Sequence, residues 1–202
     1  MTTTIRPTIR PTVRPSVLER IRPWWLWIVT ALAFPPAGYI AHQLFGRVDG
    51  VGAALLSGVL TGALIGLAQW ALLRRRGASP GWIVATAAGF GVGLAAGAAL
   101  VGYETSLGAL VVMGAVCGIA IGLAQVASFA PLRRHALSWT LATGAMWATG
   151  WAVSAGGVGI KVEDQWPVFG ISGALVVAFL QSVLINRFVP AVDSNREVAT
   201  VG

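Results

Sequence analysis

The amino-acid sequence predicts an all-α polytopic membrane protein, with six transmembrane helices arranged as three hairpins around a pseudo-threefold axis. Three observations lead there. The 202 residues are 56% hydrophobic and only 10% charged, where a soluble domain carries about 25% charged residues. Six apolar stretches each approach the roughly 20 residues needed to cross a bilayer core. One motif also returns at a constant interval of 56 residues along the chain.

The stretches are 24–45, 51–73, 81–103, 107–130, 136–155 and 167–185. With no water in the hydrocarbon core the backbone must satisfy its own hydrogen bonds, so continuous apolar runs of this length form helices, and glycine inside them is tolerated. Barrel strands would instead alternate apolar and polar residues over about ten positions, and these runs do not. Pro35-Pro36 predicts a kink in the first span. The joining segments 46–50, 74–80, 104–106, 131–135 and 156–166 leave no room for another folded unit. Residues 1–22 repeat Thr-Ile-Arg-Pro, Thr-Ile-Arg-Pro, Thr-Val-Arg-Pro, whose prolines favour an extended chain, so this segment reads as a disordered basic arm. The transmembrane domain is then 23–188, with repeats at about 24–76, 81–135 and 136–188, and 189–202 is a polar tail. The arm is too long and too proline-rich for a secretory signal, so the first span is expected to be retained.

The formal charge is +7, from 13 arginines and Lys161 against seven acids. Six spans put both termini on one side, which receives Arg6, Arg10, Arg14, Arg20, Arg22, Arg74, Arg75, Arg76, Arg133, Arg134, Arg187 and Arg196; the other side keeps Arg47 and Lys161. That bias places both termini in the cytoplasm. The five arginines Arg6, Arg10, Arg14, Arg20 and Arg22 beside the first span suit an anionic lipid surface. Rich use of Arg, Ala and Gly points to a GC-rich bacterial genome, hence to the bacterial inner membrane.

The repeat is visible residue by residue. The second span reads Gly58-x-x-x-Gly62-x-x-x-Gly66-Leu67-Ala68-Gln69, and 56 residues on the fourth reads Gly114-x-x-x-Gly118-x-x-x-Gly122-Leu123-Ala124-Gln125. The sixth keeps small residues and the glutamine in Gly170-x-x-x-Ala174-x-x-x-Ala178-Phe179-Leu180-Gln181. Odd spans echo one another through Trp27 and Thr30, Trp82 and Thr86, Trp139 and Thr143. Each unit holds two crossings, so the three share one orientation and form a parallel repeat. The run Gly66-Leu67-Ala68-Gln69-Trp70-x-x-Leu73-Arg74 resembles segments repeated in small bacterial multi-pass membrane proteins of no known function. The likeness spans the three hairpins, is close at 66–74, and is weaker at 122–134, where Val126 replaces the tryptophan. It implies architecture alone. Mitochondrial carriers share a three-hairpin plan, but their Pro-x-Asp/Glu-x-x-Lys/Arg signature is absent here.

At 100° per residue, Gly58, Gly62, Gly66 and Gln69 fall within about 80° of one another. Small residues every fourth position let transmembrane backbones approach closely; lining a narrow pore is the alternative reading. Gln69, Gln125 and Gln181 lie deep enough that an unpaired amide is costly, and Thr30, Thr86 and Thr143 are expected at similar depth. An amide-to-hydroxyl or amide-to-carbonyl contact between neighbouring helices would satisfy both. A functional ring for a polar solute or ion is the competing reading. Cys117 reads as a small buried thiol and His42 as an interfacial histidine. Asp49, Glu104, Glu163 and Asp164 form an acidic rim on the outer side, either solvated or attracting cations.

No nucleophile, base and orienting group fall at a supporting spacing, no phosphate-binding glycine loop stands outside the apolar spans, and no cofactor, metal or nucleic acid is expected. Two function classes remain. One is a non-enzymatic structural or accessory subunit packing against a larger membrane assembly or further copies of itself; the additional glycines Gly89, Gly93 and Gly97 argue for surplus packing faces. The other is a small-solute or ion permease along the pseudo-threefold axis.

Overall fold

A computed structural model describes residues 25–157 and 165–189. The arm arginines Arg6, Arg10, Arg14, Arg20 and Arg22, the rim residues Glu163 and Asp164, and the tail beyond 189 lie outside the described residues. Within them the chain is helical and polytopic. Four helices are long and apolar enough to cross a membrane: Val51–Arg76, Gly81–Leu100, Leu107–Ser128 and Ile171–Phe188.

The first helix, α1, is Phe34–Phe45, preceded by a 3-10 turn at Val29–Ala33. The proline pair sits in the first turn of α1, where a missing N–H costs nothing, and the 3-10 turn absorbs the break expected there. α2 is Val51–Leu73, extended by a 3-10 turn at Arg74–Arg76 and stopped by Gly77 in the left-handed region at φ 86°. α3 is Gly81–Leu100; it ends earlier than 103 because Gly102 and Tyr103 turn left-handed, at φ 63° and 61°. α4 is Leu107–Ser128, capped by the Ser106 hydroxyl, which accepts from Ala109 N–H. α5 is Ala136–Trp151 and passes into a π-helical turn at Ala152–Gly157. α6 is Ile171–Phe188.

The sixth helix therefore begins later than 167. Val168 and Phe169 fold into the core and Gly170 is extended, serving as the N-cap of α6 rather than the first glycine of its stripe.

Each helix packs on its predecessor, and α6 returns to α1 and its 3-10 turn, closing a circuit. Glycine makes the closest of these contacts possible. A Cβ at Gly58 would lie 2.7 Å from Gly91 Cα, one at Gly62 2.7 Å from Thr86 O, and one at Gly66 3.0 Å from Thr86 Cβ, so the α2 stripe lies against α3. The α4 stripe lies against α5, where a Cβ at Gly114 would meet Trp151 at 2.6 Å, at Gly118 Thr143 O at 2.5 Å, and at Gly122 Thr140 Cα at 2.8 Å. Gly89, Gly93 and Gly97 bring α3 onto α4. These additional glycines are thus consumed inside the chain, which removes them as an argument for surplus packing faces. Outward, every helix presents large apolar side chains, among them Leu32, Leu67, Val84, Leu123, Leu141 and Phe179, a girdle suited to lipid.

Candidate functional site

The three glutamines enter the interior from α2, α4 and α6, each with at most 2% of its surface exposed. One turn before them stand Ile65, Ile121 and Val177, and one turn after them Leu73, Phe129 and Ile185, all buried. The amides lie in apolar surroundings that make every unmade hydrogen bond costly.

Gln69 and Gln125 are held alike. Gln69 Oε1 accepts from the Trp82 indole of α3 at 3.2 Å, and Gln125 Oε1 accepts from the Trp139 indole of α5 at 3.1 Å. Each glutamine side chain then donates once: Gln125 Nε2 to the Thr86 hydroxyl at 3.1 Å, and Gln69 Nε2 to Gln181 Oε1, also at 3.1 Å. The last bond joins α2 to α6. The Trp82 and Trp139 rings meet edge to face at 6.4 Å.

The threonines divide. Thr86 bonds a glutamine, whereas Thr30 donates to its own Trp27 carbonyl at 2.7 Å and Thr143 to its Trp139 carbonyl at 2.8 Å. A β-branched hydroxyl in a helix has its own preceding carbonyl within reach, so only one of three amide-to-hydroxyl contacts between helices forms among the described residues. The tryptophans, read from the sequence as part of the repeat of the odd spans, are the partners that residue spacing did not disclose. Their signal was present, since Trp27, Trp82 and Trp139 recur with the glutamines and an indole N–H is a donor only.

Four residues beyond the threonines stand Phe34, Phe90 and Trp147, none more than 3% exposed. They meet in the interior from α1, α3 and α5: Phe90 and Trp147 edge to face at 4.8 Å, Phe34 and Trp147 at 6.0 Å. Phe169 joins them at 5.5 Å from Phe34 and 5.1 Å from Trp147. Cys117 is buried and donates to the Phe90 carbonyl at 3.8 Å. Among the described residues several polar atoms of the interior have no hydrogen-bond partner: Trp27 Nε1, Trp147 Nε1 and the hydroxyls of Ser57, Thr61 and Thr140.

Two further ties hold the ends. At the arginine-rich end Arg76 donates to the Val189 carbonyl at 2.7 Å and to Asn186 Oδ1, while Arg134 reaches the Phe188 carbonyl at 3.4 Å. Both satisfy groups left open at the C-terminus of α6, where positive charge is also favoured. At the opposite end Gln165, at φ 49°, donates to the Tyr103 carbonyl at 2.8 Å. It accepts from Arg47 Nε at 3.2 Å through its side chain and from Val48 N–H at 3.0 Å through its carbonyl. His42 stacks on Trp166 at 4.2 Å. Asp49 and Glu104 of the rim are exposed, and the described residues hold no group of three or more His, Cys, Asp or Glu placed for a metal.

Comparison with protein-family models, curated proteins and solved structures finds no match to this chain.

Proposed function

We propose that this chain is a non-enzymatic integral membrane protein of the bacterial inner membrane, acting as a structural or accessory subunit of a larger membrane assembly. In this reading six spans form three hairpins about a sealed centre, with both termini cytoplasmic. Residues 25–45 and 136–157 are continuously helical, about 30 Å long at 1.5 Å per residue, and carry the exposed Leu32, Leu44, Leu137 and Leu141; that supports two further spans. Equal burial at positions 56 residues apart supports the threefold plan.

The observation that supports the accessory reading is the interior aromatic cluster of Phe34, Phe90, Trp147 and Phe169, which on the proposed three-hairpin plan would fill the space a central path needs. The unpartnered hydroxyls of Ser57, Thr61 and Thr140 favour the second reading, a permease, because polar groups inside a membrane mark pathways. Vesicles holding the purified chain separate the two. The accessory reading expects no flux of ions or small polar solutes above empty vesicles, and a stoichiometric membrane partner retained in mild detergent. Flux that Gln69→Leu or Gln125→Leu abolishes would establish the permease instead. The arm 1–22 is assigned to the anionic cytoplasmic leaflet, where each arginine contributes up to about 1 kcal/mol; a peptide of residues 1–23 that binds neutral and anionic vesicles equally at low salt would refute that assignment.

A further inference from the structure

Three departures from regular helix converge on one cavity of about 310 Å³. Pro35 lines it from the first turn of α1, Trp151 from the point where α5 becomes π-helical, and Gly170 from the cap of the late-starting α6. Tyr39, Trp166 and Phe169 complete a largely apolar wall. Runs of π-helix recur where a protein binds something, but here the cavity itself states the chemistry. Filled with water at about 30 Å³ per molecule it would hold about ten, each needing two to four polar partners, and aromatic and aliphatic walls satisfy few of them.

The cavity is built into the backbone. Val168 is wedged against α1, since a Cβ at Gly38 would lie 2.6 Å from its Cγ1. The start of α6 is pinned by Ser154 of the π-helical turn, whose hydroxyl accepts from Gly173 N–H at 3.1 Å and contacts the Ser172 hydroxyl at 3.3 Å. The part of the wall made by Val168 and the start of α6 therefore cannot collapse by a rotamer change alone. The cavity is open on one side, and Tyr39 and Ile40 beside it are exposed on α1, so its mouth continues the surface that faces lipid. Trp151 stands twelve residues along α5 from Trp139, about 18 Å at 1.5 Å per residue, in the half of a roughly 30 Å hydrocarbon core away from the arginine end.

We infer that this cavity is a binding site for one hydrocarbon chain of a membrane lipid, drawn from the leaflet opposite the arginines. Continuity with the lipid-facing surface and the apolar wall select that occupant over water or a polar solute. The site requires membrane insertion only, and holds whether or not the protein has a protein partner.

The test uses the full chain in phosphatidylethanolamine and phosphatidylglycerol vesicles, with acyl chains either brominated or not. Bromine quenches indole at short range; Trp151 lines the cavity and Trp82, as deeply buried, does not, so a chain that stays outside the protein should quench the two alike. The emission of Trp151 is taken as wild type minus Trp151→Phe, and that of the equally buried Trp82 as wild type minus Trp82→Phe. The expected result is that Trp151 loses most of its intensity in brominated vesicles while Trp82 keeps its own. Val168→Phe, which fills the cavity from its own wall, should restore Trp151; Val168→Met serves if the larger side chain prevents folding. An unquenched Trp151, equal quenching of both tryptophans, or quenching that neither Val168 variant relieves would each overturn the site.

Discussion

The wall from α2 to α5 and the seam where α6 closes the circuit onto α1 and α2 are held together by different means. In the wall, glycine lets backbones touch: Gly58, Gly62 and Gly66 against α3, Gly93 and Gly97 against α4, Gly118 and Gly122 against α5. The seam has few such contacts. It is tied by side chains instead, through the Gln69–Gln181 bond, the Arg76 contacts on α6 and the Gln165 contacts at the far end, and it is where the helices break and the cavity lies. In lipid there is no hydrophobic driving force between helices, so close dispersion contact is the main attraction and glycine supplies it cheaply. A seam where glycine brings few backbones together relies more on polar bonds, which are fewer and directional. The departures from regular helix at Val29–Ala33 and Ala152–Gly157 lie beside this seam.

The wall breaks most easily by filling a glycine. A Cβ at Gly118 would lie 2.5 Å from Thr143 O and 2.9 Å from Gly144 Cα, both backbone, so α4 and α5 must separate to admit any side chain. Overpacking usually costs about 1–3 kcal/mol, and with backbone on both sides Gly118→Leu should cost about 3 kcal/mol or more. Denaturant titration in mixed micelles measures it, and a loss below about 1 kcal/mol would show that the wall yields.

At the seam, Arg76→Met keeps the stem and removes every donor. Hydrogen bonds to a charged group contribute about 1.5–3 kcal/mol, and partial exposure lowers that figure, so a loss of about 1–2 kcal/mol is expected, with faster amide exchange confined to the last turn of α6. Exchange that accelerates equally in α3 and α4 would contradict a local tie.

Much of this contrast is legible before any coordinates. α2 begins and ends where the apolar run does, at Val51 and Leu73, with Gly50 before it and the arginine turn and Gly77 after it. The start of α6 is not legible, since an apolar run does not say whether Val168 and Phe169 continue a helix or turn across the core. The π-helical turn after Trp151 carries no proline, and its Gly156-Gly157 pair marks an end without marking a change of hydrogen-bond spacing. The burial of the glutamines follows from their place on the small-residue stripe, but their partners depend on how neighbouring helices rotate, which a single helix does not encode. Arg76 counts toward orientation as one charge among many, and its reach to α6 depends on where a helix more than a hundred residues later ends.

The glutamine layer spans both regions and compares them directly. Gln125 works within the wall and Gln69 bridges to the seam, so Gln125→Leu and Gln69→Leu should each cost about 0.5–2 kcal/mol. Gln69→Leu leaves Gln181 without its donor. Removing both partners relieves that penalty, so the double change Gln69→Leu with Gln181→Leu should cost less than the sum of the single changes. Strict additivity in a double-mutant cycle would mean that the bond contributes nothing to closing the seam.

The smallest expected effect comes from Trp27, and it is the sharpest test of the difference between seam and wall. Trp27, Trp82 and Trp139 recur along the three odd segments and all are buried, yet Trp82 and Trp139 donate to glutamines while Trp27 Nε1 has no partner among the described residues. Phenylalanine keeps much of the ring and removes the N–H. At Trp139 that change deletes a hydrogen bond and takes a donor from the buried Gln125 oxygen, which should cost about 1 kcal/mol beyond the loss of ring area. At Trp27 it deletes a donor that was already unsatisfied, so the area lost is offset by relief of a buried polar group, and stability should barely move. Unfolding titrations of Trp27→Phe and Trp139→Phe under one condition measure the gap. A Trp27→Phe loss as large as that of Trp139→Phe would mean that the Trp27 indole is hydrogen-bonded in the membrane, that the seam is closed by the same indole-to-glutamine bond as the wall, and that the two regions differ less than their glycines suggest.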